Sequence, residues 1–210
     1  MNRIIFITGT DTGVGKTFIA AMLLKRYADM GYSTLGLKPI SSGYDKESKM
    51  NDDAMRLMDA SSIKIPYYEV NPFAFQEPIS PNIAAQKENI TLNVLMVAKK
   101  IRQTQRLYDA DITIIEGVGG WRVPLNETEN MSDLVKELDL PVILVVGVRL
   151  GCLNHSILTY EALKSDGINV LGWVANCMHD DVLEREAIIN TLKSRLTISL
   201  LFRSDVNPPK

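Results

Sequence analysis

Nine residues near the start of the chain, Gly9-Thr10-Asp11-Thr12-Gly13-Val14-Gly15-Lys16-Thr17, have the types and spacing that phosphate chemistry needs. Glycines let a backbone turn so that several N–H groups point inward, and a helix start adds partial positive charge. A lysine at the position of Lys16 reaches outer phosphates, and a hydroxyl at Thr17 holds Mg²⁺. The strict pattern puts four residues between its two glycines. Here Gly9 and Gly15 are separated by five and Thr10 takes the usual first-glycine position, which marks a variant loop. A plain glycine-rich turn between a strand and a helix is the alternative, and Gly-Lys-Thr at the helix start argues against it.

A magnesium ion on nucleotide phosphates takes one or two carboxylates besides the loop hydroxyl. Glu116 ends the apolar run Asp111-Ile-Thr-Ile-Ile-Glu116 and precedes Gly117-Val118-Gly119-Gly120, so it stands at the sheet edge where open α/β folds bind ligands. A strand-end acid that merely meets solvent is the competing reading. Asp52 and Asp53 open a helical segment, where acidic residues serve simply as caps. Lys38 ends another apolar run; Pro39 biases it toward an extended backbone, and Ser41, Ser42 and Gly43 follow. A strand-end lysine is ordinarily a surface residue. Gly151-Cys152-Leu153-Asn154-His155 precedes a helix with Asn154 as its expected N-cap, and such a start can hold a carboxylate or only satisfy its own N–H groups. His155 and His179 lack His or Cys partners at metal-ligand spacing and read as structural or exposed. Cys152 and Cys177 read as small buried or loop residues. Lys99, Lys100, Arg102 and Arg106 lie on one helix but are followed by Asp109 and Asp111, so a solvated face is favoured over a nucleic-acid patch.

These groups need a frame. Short β-branched runs at 3–8, 34–38, 111–116, 141–147, 169–176 and, weakly, 197–201 alternate with helical segments at 52–58, 92–107, 132–138, 154–165 and 181–195. That alternation predicts an α/β fold with a mostly parallel central sheet flanked by helices on both faces. In the first helix Phe18, Ile19, Met22, Leu23, Tyr27 and Met30 form the expected apolar stripe, which stops at Gly31. Residues 66–88, with four prolines, resist assignment, and so long an irregular connection is often functional. The 210 residues carry 23 Lys+Arg against 25 Asp+Glu, a net charge of −2, with 46% hydrophobic and 23% charged residues. This excludes a strongly basic nucleic-acid binder and an acidic disordered tail, and predicts one folded domain. Two cysteines outside any Cys-x-x-Cys spacing fit a reducing, cytoplasmic compartment. The apolar runs 4–7 and 141–148 are too short for a signal peptide or a membrane span, and Asn207-Pro208-Pro209-Lys210 reads as a frayed terminus.

Taken in order, several motifs together resemble the dethiobiotin synthetases, a family with the three-layer P-loop NTPase fold. They are the segment Thr8 to Thr17, Gly36-Leu-Lys-Pro39 with Ser42-Gly43, Asn71-Pro72 through Pro78-Ile-Ser-Pro81, Glu116-Gly-Val-Gly-Gly-Trp121, Pro141 to Gly147, Leu150 to His155 and Gly172-Trp-Val-Ala-Asn176. The resemblance implies a cyclo-ligase that joins CO₂ to 7,8-diaminopelargonate with ATP and Mg²⁺, through a carbamate and a carbamic-phosphoric anhydride. It implies Lys16, Lys38 and Thr12 as catalytic groups, and Gly13, Val14, Gly15, Lys16 and Thr17 around the phosphates. Asn176 is implied at the adenine, and Thr17, Asp53 and Glu116 at the metal. Thr12, Lys38, Ser42, Gly117 and Gly119 are implied at the diamine, with Gly151, Cys152, Leu153 and Asn154 reaching its carboxylate from the other subunit of a homodimer. Leu200 to Pro209 departs from the Gly- and Pro-containing nucleotide segment of that family. Two other classes compete: a MinD/ParA-like regulatory ATPase of partition or cell division, whose signature lysine is replaced here by Asp11, and a weakened homologue that only binds nucleotide or diamine.

Overall fold

The computed structural model describes residues 3–178 and 181–205. The expectations for His179 and for residues 207–210 fall outside the described residues. From the N-terminus, β1 (Arg3–Gly9) leads to α1 (Lys16–Asp29), β2 (Thr34–Leu37), β3 (Ile40–Ser42) and α2 (Asp52–Ala60). Next come α3 (Tyr67–Val70), β4 (Phe73–Phe75), α4 (Pro81–Lys87), α5 (Val94–Tyr108) and β5 (Ile112–Glu116). Then follow α6 (Met131–Glu137), β6 (Val142–Gly147), α7 (Cys152–Ser165), β7 (Val170–Cys177), α8 (Arg185–Arg195) and β8 (Leu200–Asp205).

Six strands form one sheet in the order β2-β5-β1-β6-β7-β8, every neighbouring pair parallel. The continuous apolar runs are explained by burial of both faces. In β1, Ile5 and Ile7 point to one core with Ile19, Ala20, Leu23 and Leu24 of α1, while Phe6 points to the other. Ile143 and Val145 of β6 likewise face α1, and Val142, Leu144 and Val146 face away. Loops leaving the C-terminal ends of β1, β2, β5 and β7 therefore converge on one rim, beside the point between β1 and β6 where the chain reverses its direction of winding. At the β2 edge, side-chain hydroxyls take the place of another strand: Ser62 Oγ accepts from Thr34 N–H at 2.7 Å and Ser61 Oγ from Gly36 N–H at 2.8 Å.

Several expectations need correction. Phe18 and Met30 are exposed rather than part of the α1 stripe; the buried face runs through Ala20 and Leu24 instead. The last helix begins at Arg185, not 181, and the last strand is Leu200–Asp205 rather than 197–201. Asn51, not an aspartate, caps α2: its side chain accepts from Ala54 N–H at 3.2 Å. Gly151, with φ 88°, takes the cap position of α7, so Asn154 lies inside the helix. The unassigned stretch 66–88 holds three short elements, and β4 pairs in parallel with β3 as a second, two-stranded sheet.

Candidate active site

The rim encloses a cavity of about 850 Å³ lined by the phosphate loop, Lys38, Ser42, Asp53, Glu116 and Asn176, among others. The loop is built as its glycines require. Gly15 has φ 88°, and a Cβ there would stand 1.9 Å from the Asn176 amide nitrogen. Only glycine fits both demands. α1 starts with no side-chain cap and no acidic residue in its first turn, so its leading N–H groups remain available to an anion. Thr12, Gly13, Gly15, Lys16 and Thr17 all line the cavity. Val14 does not; it is buried, and its carbonyl accepts from the Asn176 side-chain amide at 2.8 Å. This bond fixes the end of β7 against the loop.

Lys16 is buried and its Nζ donates to the Asp11 carbonyl at 2.9 Å. Burial, and then the neighbouring Lys38 charge, lower its ammonium to about 8. Asp11 also accepts from the Arg149 guanidinium at 2.6 Å and from Thr12 N–H at 2.7 Å, which ties the loop to the segment before α7.

Lys38 is no surface lysine. It is 3% exposed and Glu116 is 1% exposed. Its Nζ donates to Glu116 Oε1 at 2.5 Å and to the Gly117 carbonyl at 3.0 Å, and lies 3.3 Å from Asp53 Oδ2. Glu116 Oε1 also accepts from the Thr17 hydroxyl at 2.9 Å. Burial alone would raise the Asp53 carboxyl. The adjacent Lys38 ammonium, with the Lys16 charge behind it, outweighs this and holds the group below the usual carboxylate value. Thr17, Asp53 and Glu116, drawn from three separate stretches of chain, thus meet around one ammonium. Glu116 Oε2 and Ser42 Oγ are buried with no hydrogen-bond partner among the described residues. An orphaned carboxylate oxygen beside a hydroxyl and a second carboxylate is the hard oxygen donor set that Mg²⁺ accepts.

Gly119 lines the cavity, while Gly117 lies behind it, packed so closely on Phe6 that a Cβ would meet the ring at 2.8 Å. Gly151, Cys152, Leu153 and Asn154 do not line this cavity; Asn154 and His155 are exposed and Cys152 is buried. Sequence reasoning missed Phe18, Arg56, Met178, Ser204 and Asp205 on the cavity wall. For Arg56 a signal existed, since it follows Asp53 by three residues on α2 and so shares its helix face. Ser204 and Asp205 bring the end of β8 to the wall, so the segment that departs from the expected pattern still reaches the cavity.

Residues 3–207 match a family described as an AAA domain. The ATP-dependent dethiobiotin synthetase BioD of Vibrio vulnificus strain YJ016 is 41% identical over 203 residues, spanning 96% of this chain and 88% of its own. The protein of the same name from Cellvibrio japonicus is 45% identical, across 91% of this chain and 84% of its own. Among solved structures, MinD complexed with Mg-ADP from Pyrococcus horikoshii aligns with a TM-score of 0.56 at 19% identity, covering 99% of this chain and 83% of that one. The signal recognition particle receptor FtsY of Elizabethkingia anophelis gives a TM-score of 0.62 at 15% identity, over 99% of this chain and 60% of that one. These two likenesses identify the fold as that of the P-loop NTPases. Identity above 40% along nearly the whole chain goes further, and the chain belongs to the ATP-dependent dethiobiotin synthetase family.

Proposed function

We propose that this chain is a dethiobiotin synthetase that joins CO₂ to 7,8-diaminopelargonate at the expense of ATP, giving dethiobiotin, ADP and phosphate. The observation that carries the reading is the meeting of Lys16, Lys38, Thr17, Asp53 and Glu116 on one cavity that the phosphate loop closes. One amine of the substrate takes up CO₂ as a carbamate, losing a proton. A carbamate oxygen then attacks the γ-phosphorus and ADP leaves. The second amine attacks the carbonyl of the resulting mixed anhydride, closing the cyclic urea as phosphate departs. Negative charge gathers on oxygens at each stage, so the protein acts by positioning and by fixed positive charge.

Lys16 and the N–H groups from Gly13 to Thr17 hold the phosphates, and Lys38 balances the carbamate. Thr12, Ser42 and the turn containing Gly117 and Gly119 orient the diamine, and Asn176 faces the base. Thr17, Asp53 and Glu116 would hold Mg²⁺, which when bound would supply positive charge to offset that gathering on the transferring phosphoryl group. Gly151, Cys152, Leu153 and Asn154 lie outside this chain's own cavity, which supports a homodimer in which each subunit offers its α7 start to the other's substrate carboxylate. Two buried free cysteines support a cytoplasmic setting. No helix among the described residues is long and apolar enough to cross a membrane.

The test supplies diaminopelargonate, labelled bicarbonate and MgATP, and looks for acid-stable label in dethiobiotin with equal release of ADP. ATP turnover without labelled product would refute the ligase reading. For the shared site, an Asn154→Ala subunit mixed with a Lys16→Ala subunit recovers part of the activity. A verified mixed dimer without recovery would refute it.

A further inference from the structure

The segment 66–88 carries motif residues that the mechanism above leaves without a task, Asn71 foremost. The Asn71 side chain is buried. Its Nδ2 donates to the Lys38 carbonyl at 2.5 Å, and its Oδ1 accepts from the Ser41 hydroxyl and from the Tyr67 hydroxyl, both at 2.8 Å. The other half of the Lys38 main chain is held by the same segment, since Lys38 N–H donates to the Val70 carbonyl at 2.9 Å. The Tyr67 hydroxyl in turn accepts from Asn51 N–H at 2.8 Å. Asn51 is the cap of α2, with Nδ2 on the Gly43 carbonyl at 2.8 Å and Oδ1 on Ala54 N–H, and Asp53 is the second residue of that helix.

The direction of every bond in this chain is fixed. A carbonyl only accepts, so the Asn71 amide nitrogen must face Lys38 and its oxygen must face the two hydroxyls. Having donated its single proton to that oxygen, the Tyr67 hydroxyl has only lone pairs left for Asn51 N–H. Burial holds the Tyr67 phenol above its ordinary value, so it stays neutral and keeps the proton it donates. An unbroken line of oriented hydrogen bonds thus runs from the peptide of Lys38 to the first turn of the helix bearing Asp53. The two side-chain ends of that line lie 3.3 Å apart in the cavity.

We propose that Tyr67 and Asn71 are positioning residues that set the separation of Lys38 and Asp53, Asn71 by clamping the Lys38 peptide and Tyr67 by fixing the start of α2. The catalytic arm of this proposal rests on the ligase reading; its metal arm does not. Two substitutions interrupt the line at different points. Tyr67→Phe removes one oxygen and leaves the Asn51 N–H at the α2 start without its partner. Asn71→Asp keeps the shape but sets an oxygen against the Lys38 carbonyl.

Binding of ATP is measured by calorimetry across a Mg²⁺ series, without diamine, for wild type, both variants and the exposed neighbour Tyr68→Phe as a control. Ligase kinetics are measured in parallel. Tyr67→Phe raises the half-saturating Mg²⁺ concentration about tenfold, in line with the loss of a partner that orients a metal ligand, and this effect disappears in an Asp53→Asn background. Asn71→Asp also lowers kcat about tenfold or more, whereas Tyr68→Phe changes neither quantity. The proposal is overturned if Tyr67→Phe leaves the Mg²⁺ midpoint within twofold of wild type, or if its full effect persists without the Asp53 carboxylate. Should Asn71→Asp not fold, Tyr67→Phe decides alone. A wild type that binds MgATP but makes no dethiobiotin refutes the ligase reading and leaves the metal arm readable.

Discussion

Replacing Lys38 by methionine removes the charge that Glu116 faces while keeping most of the buried stem. At 2.5 Å and an effective dielectric constant of about 20, the Lys38–Glu116 attraction is about 7 kcal/mol before the desolvation of both groups is subtracted. Breaking such a pair from one side characteristically costs about 3–5 kcal/mol, because the remaining carboxylate stays buried without compensation. Here Glu116 is left with the Thr17 hydroxyl on Oε1 and nothing on Oε2. Asp53 adds little to the sum, since its side chain is 44% exposed. With a urea dependence of about 3 kcal/mol per molar, Lys38→Met moves the unfolding midpoint of the nucleotide-free protein down by at least about 1 M. The double variant Lys38→Met with Glu116→Gln removes both charges and recovers most of that loss. Urea titrations followed by circular dichroism measure both. A single-variant shift below about 0.3 M, or a double variant no more stable than the single one, would refute the claim that these groups form a mutually dependent buried pair.

Lys16 titrates near 8 when folded against 10.5 in an unfolded chain. Between those values the unfolded state binds the proton that the folded site has released, so this residue's contribution makes stability rise with pH in that window. Nucleotide affinity moves the other way, weakening by up to about tenfold per pH unit above 8 as the ammonium is lost, and calorimetry in two buffers detects the accompanying proton uptake. Equal affinity at pH 7 and pH 9 would contradict this. Gly15→Ala forces a positive φ on a residue with a Cβ and drives that atom into Asn176, so nucleotide binding falls at least about tenfold in a titration, while a value near wild type would count against the loop geometry. Arg56 is exposed on the cavity wall, so Arg56→Gln weakens ATP binding a few-fold at low salt, with thermal stability unchanged and the difference fading as salt rises. No salt-dependent difference would remove Arg56 from the site.

The frame was legible because parallel strands buried on both faces leave continuous apolar runs, and five of the six central strands lie within a residue or two of where those runs stand in the sequence. β8 was harder to see, since its Arg203 and Asp205 pair with each other rather than alternate with apolar residues. The phosphate loop and Glu116 could be read locally, because each sits at a strand end beside glycines. Asp53 could not, since an acid in a first turn reads as a helix-end charge whether or not a cavity lies in front of it. Its orientation depends on Lys38, which lies fifteen residues earlier. Asn71 and Tyr67 were out of reach for the same reason: their partners on β2 and at the start of α2 are brought to them only by the fold. Phe18 illustrates the opposite failure, as an apolar residue at core spacing that borders the cavity instead.

The hydroxyls of Ser61 and Ser62 have a consequence for assembly. A bare terminal strand invites another chain to add to it, and the invitation consists of its free N–H and C=O groups. On β2 several of these are already engaged: two N–H groups by serine oxygens, the Thr34 carbonyl by Ile63 N–H, and the N–H just past the strand by the Val70 carbonyl. That side of the sheet offers a poor template for strand addition. Growth of the sheet into a ribbon, the route to fibrous aggregates, is hindered there, so a second copy of the chain that meets this edge packs against it through helices and loops.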